Sequence, residues 1–414
     1  GTDNGFAPVS VDTNINGSYI GSFTVTTQSY GTKVITLRMW KSVPEPILAT
    51  SIFVITSRIF LVNPATATVH TTVTIEGTGF KDETIYISFG KTQTIATVQA
   101  SANGTFSTTF KVDTQDYGFH VITAKNSTLA TSTFFIIPDI ISLNPNSGKV
   151  GEVVTLIGRG YKGSETLHIT FGTHITITTT TASPDGTFST TFVVSTQVAQ
   201  TRVITAYGIE SCANSTTIFQ LKSRIYLVQP LTGKTFDQVT VCGSGYSDGE
   251  VVDINFGTHL AIAMPVPGPN GTFSTTFAVD QQTSGTKVIT AIGGTSNEWA
   301  TSVFEITAGL TKVEPKSGVV GTVVTVEGVN YQTGETVYIN FGTHNTITTT
   351  IATTGTFSTT FTVDTQPAGT TSIVGIGVFS GVTCNSSFVI ISDITLISPA
   401  SGPVGTEVTV WGRG

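Results

Sequence analysis

The amino-acid sequence predicts an all-β protein: a tandem array of small seven-stranded sandwiches, with one further sandwich split between the two chain ends. Three observations carry this. The run Gly104-Thr105-Phe106-Ser107-Thr108-Thr109-Phe110 returns at 186–192, 271–277 and 355–361, at spacings of 82, 85 and 84 residues. A fixed period of this size marks a repeated structural unit. Threonine makes up roughly a fifth of the 414 residues, and with Val, Ile and Phe it favours extended backbone. Short alternating runs are separated by Gly, Pro, Asn and Asp, and none has the 3.6-residue period of a helix.

The first whole repeat, 57–138, shows the plan. Ile59-Phe60-Leu61-Val62-Asn63-Pro64 reads as a strand ended by a proline turn, and 73–80 as a second strand closed by Gly77 and Gly79. Residues 84–90 alternate as a third strand and 94–98 as a short fourth. Asn103-Gly104 is a hairpin signal before the strand 106–112. Alternation there puts Phe106 and Phe110 into the core and Ser107, Thr109 and Lys111 outside. Residues 120–124 and 131–137 supply the last two strands. Seven short strands with turn signals between them describe a two-sheet sandwich of immunoglobulin type.

The same plan predicts Ig-like domains at 57–138, 139–222, 223–307 and 308–392. Residues 1–56 read as the second part of such a domain, with Gly21-Ser22-Phe23-Thr24-Val25 as a looser copy of the repeated strand. Residues 393–414 read as the first two strands of another. The joints between units are very short, which predicts restricted motion between neighbours.

The opening of each unit carries Pro145-Asn146-Ser147-Gly148, then Gly151, then Val154-Thr155-Leu156-Ile157-Gly158-Arg159-Gly160-Tyr161, and later Phe171-Gly172; Pro399 to Val410 repeats its first part. This resembles the IPT/TIG family of immunoglobulin-like domains, found in prokaryotic surface proteins, plexins and some transcription factors. The resemblance covers nearly the whole chain. His70 and Phe236 stand where the pattern has its second glycine. For a weakly charged tandem array, the resemblance implies an extracellular structural or adhesive role.

Composition narrows the function. Only 11% of residues are charged, against roughly a quarter in ordinary soluble domains. The net charge of −7 lacks the clustered basic residues that nucleic acid requires. No run approaches the roughly 18 apolar residues of a membrane-spanning helix. A surface of Thr, Ser, Asn and Gly with so little charge is prone to association, which predicts cover by neighbouring subunits or by covalent glycans.

Six Asn-x-Ser/Thr sequons occur, at Asn16, Asn103, Asn126, Asn214, Asn270 and Asn385. Asn16, Asn103 and Asn270 precede glycine in the turn before the repeated strand, where Asn-Gly has its own backbone reasons to occur; Asp185-Gly186 takes that place in the second unit. Asn126, Asn214 and Asn385 are read at matching places before the last strand and are the stronger glycosylation candidates. His174, His259 and His344 share a Phe-Gly-Thr-His position, read as a strand-end residue kept by duplication, since a shared metal would need bonds of about 2 Å. Asp82, Glu83, Glu165, Asp248, Glu250 and Glu335 are read as solvated turn residues, with no calcium loop. Cys212 and Cys384 are read at matching places and Cys242 in a second strand; a Cys212–Cys242 bond and free thiols both remain open. No metal, cofactor or catalytic constellation is predicted.

The head 1–56 and the tail 393–414 are complementary parts of one domain. Either the chain is a segment of a longer array, or the tail of one subunit completes the head of the next by strand addition. A head-to-tail contact of that kind generates an open filament or a ring. The expected function is therefore non-enzymatic: a subunit or segment of a surface filament, fibre or surface layer outside the cell. The alternative is an adhesin stalk presenting a ligand-binding region on a cell or virion surface, for which Trp40 and Trp299 are the hints.

Overall fold

The computed structural model of the chain describes residues 9–39 and 46–414. Trp40 lies outside them. Regular structure among the described residues is β throughout. In 58–136, Arg58–Asn63 pairs with Thr72–Thr78, which pairs in turn with Phe106–Lys111. The second sheet runs in the order Thr66–Ala67, Leu129–Ile136, Gly118–Lys125, Thr84–Phe89, Thr92–Gln99. Only Thr66–Ala67 joins parallel. The same three-plus-five arrangement returns over 139–222, 224–306 and 309–390. The chain is thus a tandem array of Ig-like β-sandwiches.

Eight strand segments form where seven were expected. The opening strand breaks at Pro64, which has no N–H to offer a ladder, and the two residues Thr66–Ala67 add to the edge of the other sheet. Pro145, Pro230 and Pro315 stand at the same break.

The two sheets close on a phenylalanine core. Phe89 lies 5.3 Å from Phe110 and 5.6 Å, edge-on, from Phe134. Phe171 with Phe192 and Phe219, Phe256 with Phe277 and Phe304, and Phe341 with Phe361 and Phe388 repeat the trio. Each such buried ring stabilises its sandwich by about 1.5–3 kcal/mol. The first ring of the repeated strand needs a glycine opposite. A Cβ on Gly77 would stand 2.2 Å from Cε1 of Phe106, and Gly158, Gly243 and Gly328 face Phe188, Phe273 and Phe357 in the same way.

The turn before that strand corrects the sequence register of the first copy. Gly104, Gly186, Gly271 and Gly355 all have φ between +76° and +82°, and Gly17, not Gly21, matches them at +74°. The amide of Gly17 donates to the Asn14 carbonyl at 2.9 Å as that of Gly104 does to Ser101 at 2.8 Å. The copy therefore runs from Gly17, with Tyr19 in the place of Phe106 and Phe23 in the place of Phe110. His70 and Phe236 take φ of +69° and +75° where Gly151, Gly321 and Gly405 have +90°, +94° and +99°.

The chain forms two compact units, described separately: Gly1–Ser147 with Val153–Val193 and Thr201–Phe219, and Gly148–Glu152 with Val194–Gln200 and Gln220–Gly414. In the first, the Tyr30 amide donates to the Phe80 carbonyl at 3.3 Å and the Tyr117 amide to the Tyr161 carbonyl at 3.0 Å. Arg159 donates to Nδ1 of His70 at 2.6 Å while holding Asp139 through two bonds of 3.0 Å. In the second, the Ala199 amide donates to the Gly245 carbonyl and the Ser284 amide to the Asn330 carbonyl, both at 2.9 Å. Asn330 Nδ2 donates to Thr235 Oγ1 and to the Gln282 carbonyl at 2.7 Å, and its Oδ1 accepts from the Thr235 amide at 3.0 Å. Arg224 donates to the Val150 carbonyl.

Candidate functional site

The most distinctive surfaces are two strand pairs whose apolar faces lie open. Gly31–Arg38 pairs with Ile47–Ile55, and Asp393–Ser398 with Thr409–Arg413, each as a sheet of two strands. In a whole repeat the same positions are core. Val73 and Ile75 are 0% exposed, whereas Val408 and Val410 are 48% and 53% exposed. Phe106 is 5% exposed and its counterpart Tyr19 is 51% exposed. No strand forms over residues 18–26, the stretch equivalent to the one that pairs with Thr72–Thr78 in the repeat 57–138.

A glutamine five residues beyond the second phenylalanine pins three of the sandwiches. Gln115 donates from Nε2 to the Phe89 carbonyl at 3.0 Å and accepts from the Lys91 amide at 3.0 Å. Gln282 and Gln366 bond the Phe256 and Phe341 carbonyls at 2.9 and 3.0 Å. Gln28 holds the same place after Phe23, but its buried Nε2 has no partner among the described residues. The repeated spacing was legible in the sequence, and sequence reasoning passed over it.

The sequons fall into different settings. Asn103 Oδ1 accepts from the amide and hydroxyl of Thr105, and Asn270 Oδ1 from those of Thr272. Asp185 does the same with Thr187, so the turn has its own use for an acceptor here. Asn16 is exposed in the equivalent turn. Asn126, Asn214 and Asn385 do not share one place. Pairing of Ile87 with Ala124 and of Leu167 with Gly208 makes Asn126 the equivalent of Gly208. Asn214 opens the strand Asn214–Lys222, and Asn385 is the third residue of Thr383–Ile390. Asn126 Nδ2 donates to the Lys81 carbonyl at 3.2 Å, whereas Asn214 and Asn385 are exposed.

The acidic residues divide. Asp82, Glu83 and Asp248 are exposed, but Glu165, Glu250 and Glu335 are buried, which overturns their reading as solvated residues. Each carboxylate receives the last hairpin's turn. Glu335 accepts from the amides of Ser380 at 3.0 Å, Phe379 at 3.3 Å and Gln332 at 2.6 Å, and from the Ser380 hydroxyl at 2.9 Å. Glu250 does so with Thr295, Ser296 and Ser247. Burial pushes both carboxyls up, and the hydrogen bonds from Ser380 and Gln332, or Ser296 and Ser247, outweigh it and hold them below the usual glutamate value.

His174, His259 and His344 each open a strand. Nδ1 of His259 lies 3.0 Å from Asp280 and that of His344 2.7 Å from Asp364. Among the described residues, no group of three His, Cys, Asp or Glu could hold a metal ion. All three cysteines are free thiols, and Cys212 and Cys384 do not match. Cys212 lies in a turn at φ +57°, as Gly381 does at +70°, while Cys384 sits in a strand with its Sγ 2.8 Å from the Tyr331 hydroxyl. Burial pushes the Cys384 thiol up. Sequence reasoning also missed an aromatic stack. Phe119, 76% exposed, packs edge-on against Phe135 at 4.6 Å, which packs in turn on Tyr117 at 5.1 Å.

No protein-family model and no curated protein matches the chain. Solved structures do. An ICAM-5 D1–D4 ectodomain fragment is 12% identical, covering 81% of this chain and 100% of its own, with a TM-score of 0.20. Invasin, a bacterial integrin-binding protein, is 14% identical over 82% of this chain and 80% of its own, with a TM-score of 0.21. A Ca2+-stabilised, ice-binding adhesin of an Antarctic bacterium is 14% identical over 80% and 97%, with a TM-score of 0.16. At these values the likenesses carry no argument about activity.

Proposed function

We propose that this chain is a non-enzymatic structural protein of a cell surface, whose IPT/TIG-like units follow the boundaries 57–138, 139–222, 223–307 and 308–392, and which self-associates head to tail into a filament or coat. The observation that carries the reading is the pair of open apolar strand faces, Gly31–Arg38 with Ile47–Ile55 and Asp393–Ser398 with Thr409–Arg413, which correspond to different parts of one sandwich. The nearly uncharged Ser/Thr surface adds support, since it resists association poorly. Covalent glycans at the exposed Asn214 and Asn385, and at Asn16, Asn103, Asn126 and Asn270, belong to the same reading. Electron microscopy and light scattering of the purified chain test it. Filaments or end-to-end oligomers are expected, and dispersed monomers at all concentrations would sink the assembly.

A second reading, an adhesin stalk, is favoured by the Tyr117–Phe135–Phe119 stack and by Trp299, which is also exposed. Open aromatic faces are frequent anchors of binding surfaces. A glycan and cell-surface binding screen with the intact chain, repeated with Phe119→Ala, tests it; no binding, or binding indifferent to the substitution, removes the stack as the binding region.

A further inference from the structure

We infer that the repeat 57–138 binds a neutral saccharide in a hollow beside its last hairpin. Tyr86 offers its ring to one face of a pyranose, and Glu83 accepts two adjacent hydroxyls. The inference rests on the adhesin reading and deepens it, giving it a ligand class and a second place on the sheet face that carries the aromatic stack.

The four repeats supply the comparison. Glu83 is the counterpart of Glu165, Glu250 and Glu335. Its carbonyl accepts from the Ala100 amide at 3.2 Å, as that of Glu165 does from the Ala182 amide at 2.9 Å. In the three later repeats the carboxylate is capped. Glu165 accepts three backbone amides, from Lys162, Glu210 and Ser211. Glu250 and Glu335 accept three each in the same way. Glu83 accepts one, from Ser127 at 3.2 Å, and is exposed.

Two shortened loops account for the difference. Pairing of Leu129 with Lys125 leaves only residues 126–128 in the hairpin, where 293–298 and 377–382 fill the same place in later repeats. The loop from Phe80 to Glu83 is also one residue shorter than those from Tyr161 to Glu165 and from Tyr331 to Glu335. Neither loop reaches over the carboxylate. An open hollow of about 460 Å³ stands there, lined by Glu83, Thr84, Tyr86, Lys125, Asn126 and Ser127.

The lining selects the ligand. A carboxylate with acceptor capacity to spare needs donors, and its two oxygens can take a bidentate pair. The Lys125 ammonium at the same rim offsets its charge, which favours a neutral ligand over an ion. Tyr86 stands between Lys125 and Thr97 on the neighbouring strands and is 54% exposed. Its ring therefore gives an apolar surface flanked by polar groups, the mixture found in small-molecule sites of this volume. Paired hydroxyls backed by a C–H face describe a pyranose. Phe119 projects from the same face of Gly118–Lys125 as Lys125 does, six residues along the strand.

Saturation-transfer NMR on the full chain tests the site, with methyl glycosides of glucose, galactose and mannose as probes. Asn126 lies at the rim, so the chain is produced in a host that adds no N-glycans. Transfer to the ring C–H protons of at least one glycoside is expected, with half-saturation at about 1 mM for so small and open a site. Tyr86→Ala and Glu83→Gln, both at exposed positions, are each expected to weaken binding at least about tenfold. Tyr338→Ala removes the equivalent ring beside a capped carboxylate and is expected to change nothing.

Binding that ignores Tyr86→Ala and Glu83→Gln overturns the site. If Phe119→Ala then abolishes it, the sugar sits on the aromatic stack and the adhesin reading stands without this hollow. Equal loss in Tyr338→Ala also overturns the site, because the open hairpin then decides nothing. No transfer to any glycoside overturns it as well, and the adhesin reading is left to the wider glycan and cell-surface screen.

Discussion

Replacing Glu335 by Gln isolates what a buried carboxylate does for this fold. The side chain accepts three backbone N–H groups and one hydroxyl at 2.6–3.3 Å. Hydrogen bonds to a charged acceptor contribute about 1.5–3 kcal/mol and neutral ones about 0.5–1.5. Glutamine keeps one acceptor oxygen and turns an NH2 toward the remaining donors, so at least one buried N–H is stranded at a further 1–3 kcal/mol or so. The loss for that repeat is about 2–4 kcal/mol. An array of repeats does not unfold as one unit, so the assay is amide exchange in Gly369–Gly377 and Thr383–Ile390. Because the folded carboxyl is held below 4.5, its contribution is complete above that pH and disappears as pH falls through the lower folded value. The wild type should show that acid loss and the variant should lack Glu335's share of it. Equal protection at pH 7, or identical acid profiles, would refute the reasoning.

Gly328→Ala should destabilise its sandwich by about 1–3 kcal/mol through the clash with Phe357, visible as a lower midpoint for that repeat in calorimetry. Phe236→Gly should instead stabilise by about 0.5–1 kcal/mol, because φ of +75° strains any side chain and this one is exposed; an unchanged or lower midpoint contradicts it. Asn330→Ala strands the Thr235 amide and the Gln282 carbonyl and should cost about 2–3 kcal/mol, read as faster exchange at those residues. Intact-mass measurement of chain from its native source should show added hexose-type mass, localised by peptide mapping to Asn214 or Asn385; unmodified peptides at all six sequons would remove the glycan reading.

Most of the sandwich was legible because its causes are local. Alternation in Phe106 to Val112 and the Asn-Gly turn each act within a few residues, so the sequence reports them directly. Features that depend on long-range contact were not legible. Glu335 looked like a turn residue because its four donors come partly from a turn more than forty residues away. The strand copy at Gly17 was misread by four residues because Gly21-Ser22-Phe23 resembles Gly104-Thr105-Phe106 in type, while only φ at the turn tells them apart. The three later sequons looked equivalent because hairpin lengths before the last strand differ between units, which linear spacing hides.

The amide of Tyr117, spent on the Tyr161 carbonyl, has a bearing on how such a chain changes length. Its counterparts Tyr30, Ala199 and Ser284 meet the next unit at the equivalent carbonyl or one residue before it. Donor and acceptor are main-chain groups, indifferent to the side chains of either unit. Excision or duplication of one whole period of about 84 residues restores such a bond at the new junction, whereas a loss of ten or twenty residues does not. A step of one whole repeat therefore keeps the main-chain bond at the new junction, while side-chain bonds such as Arg159 to His70 and Asn330 to Thr235 belong to particular neighbours and are lost with them.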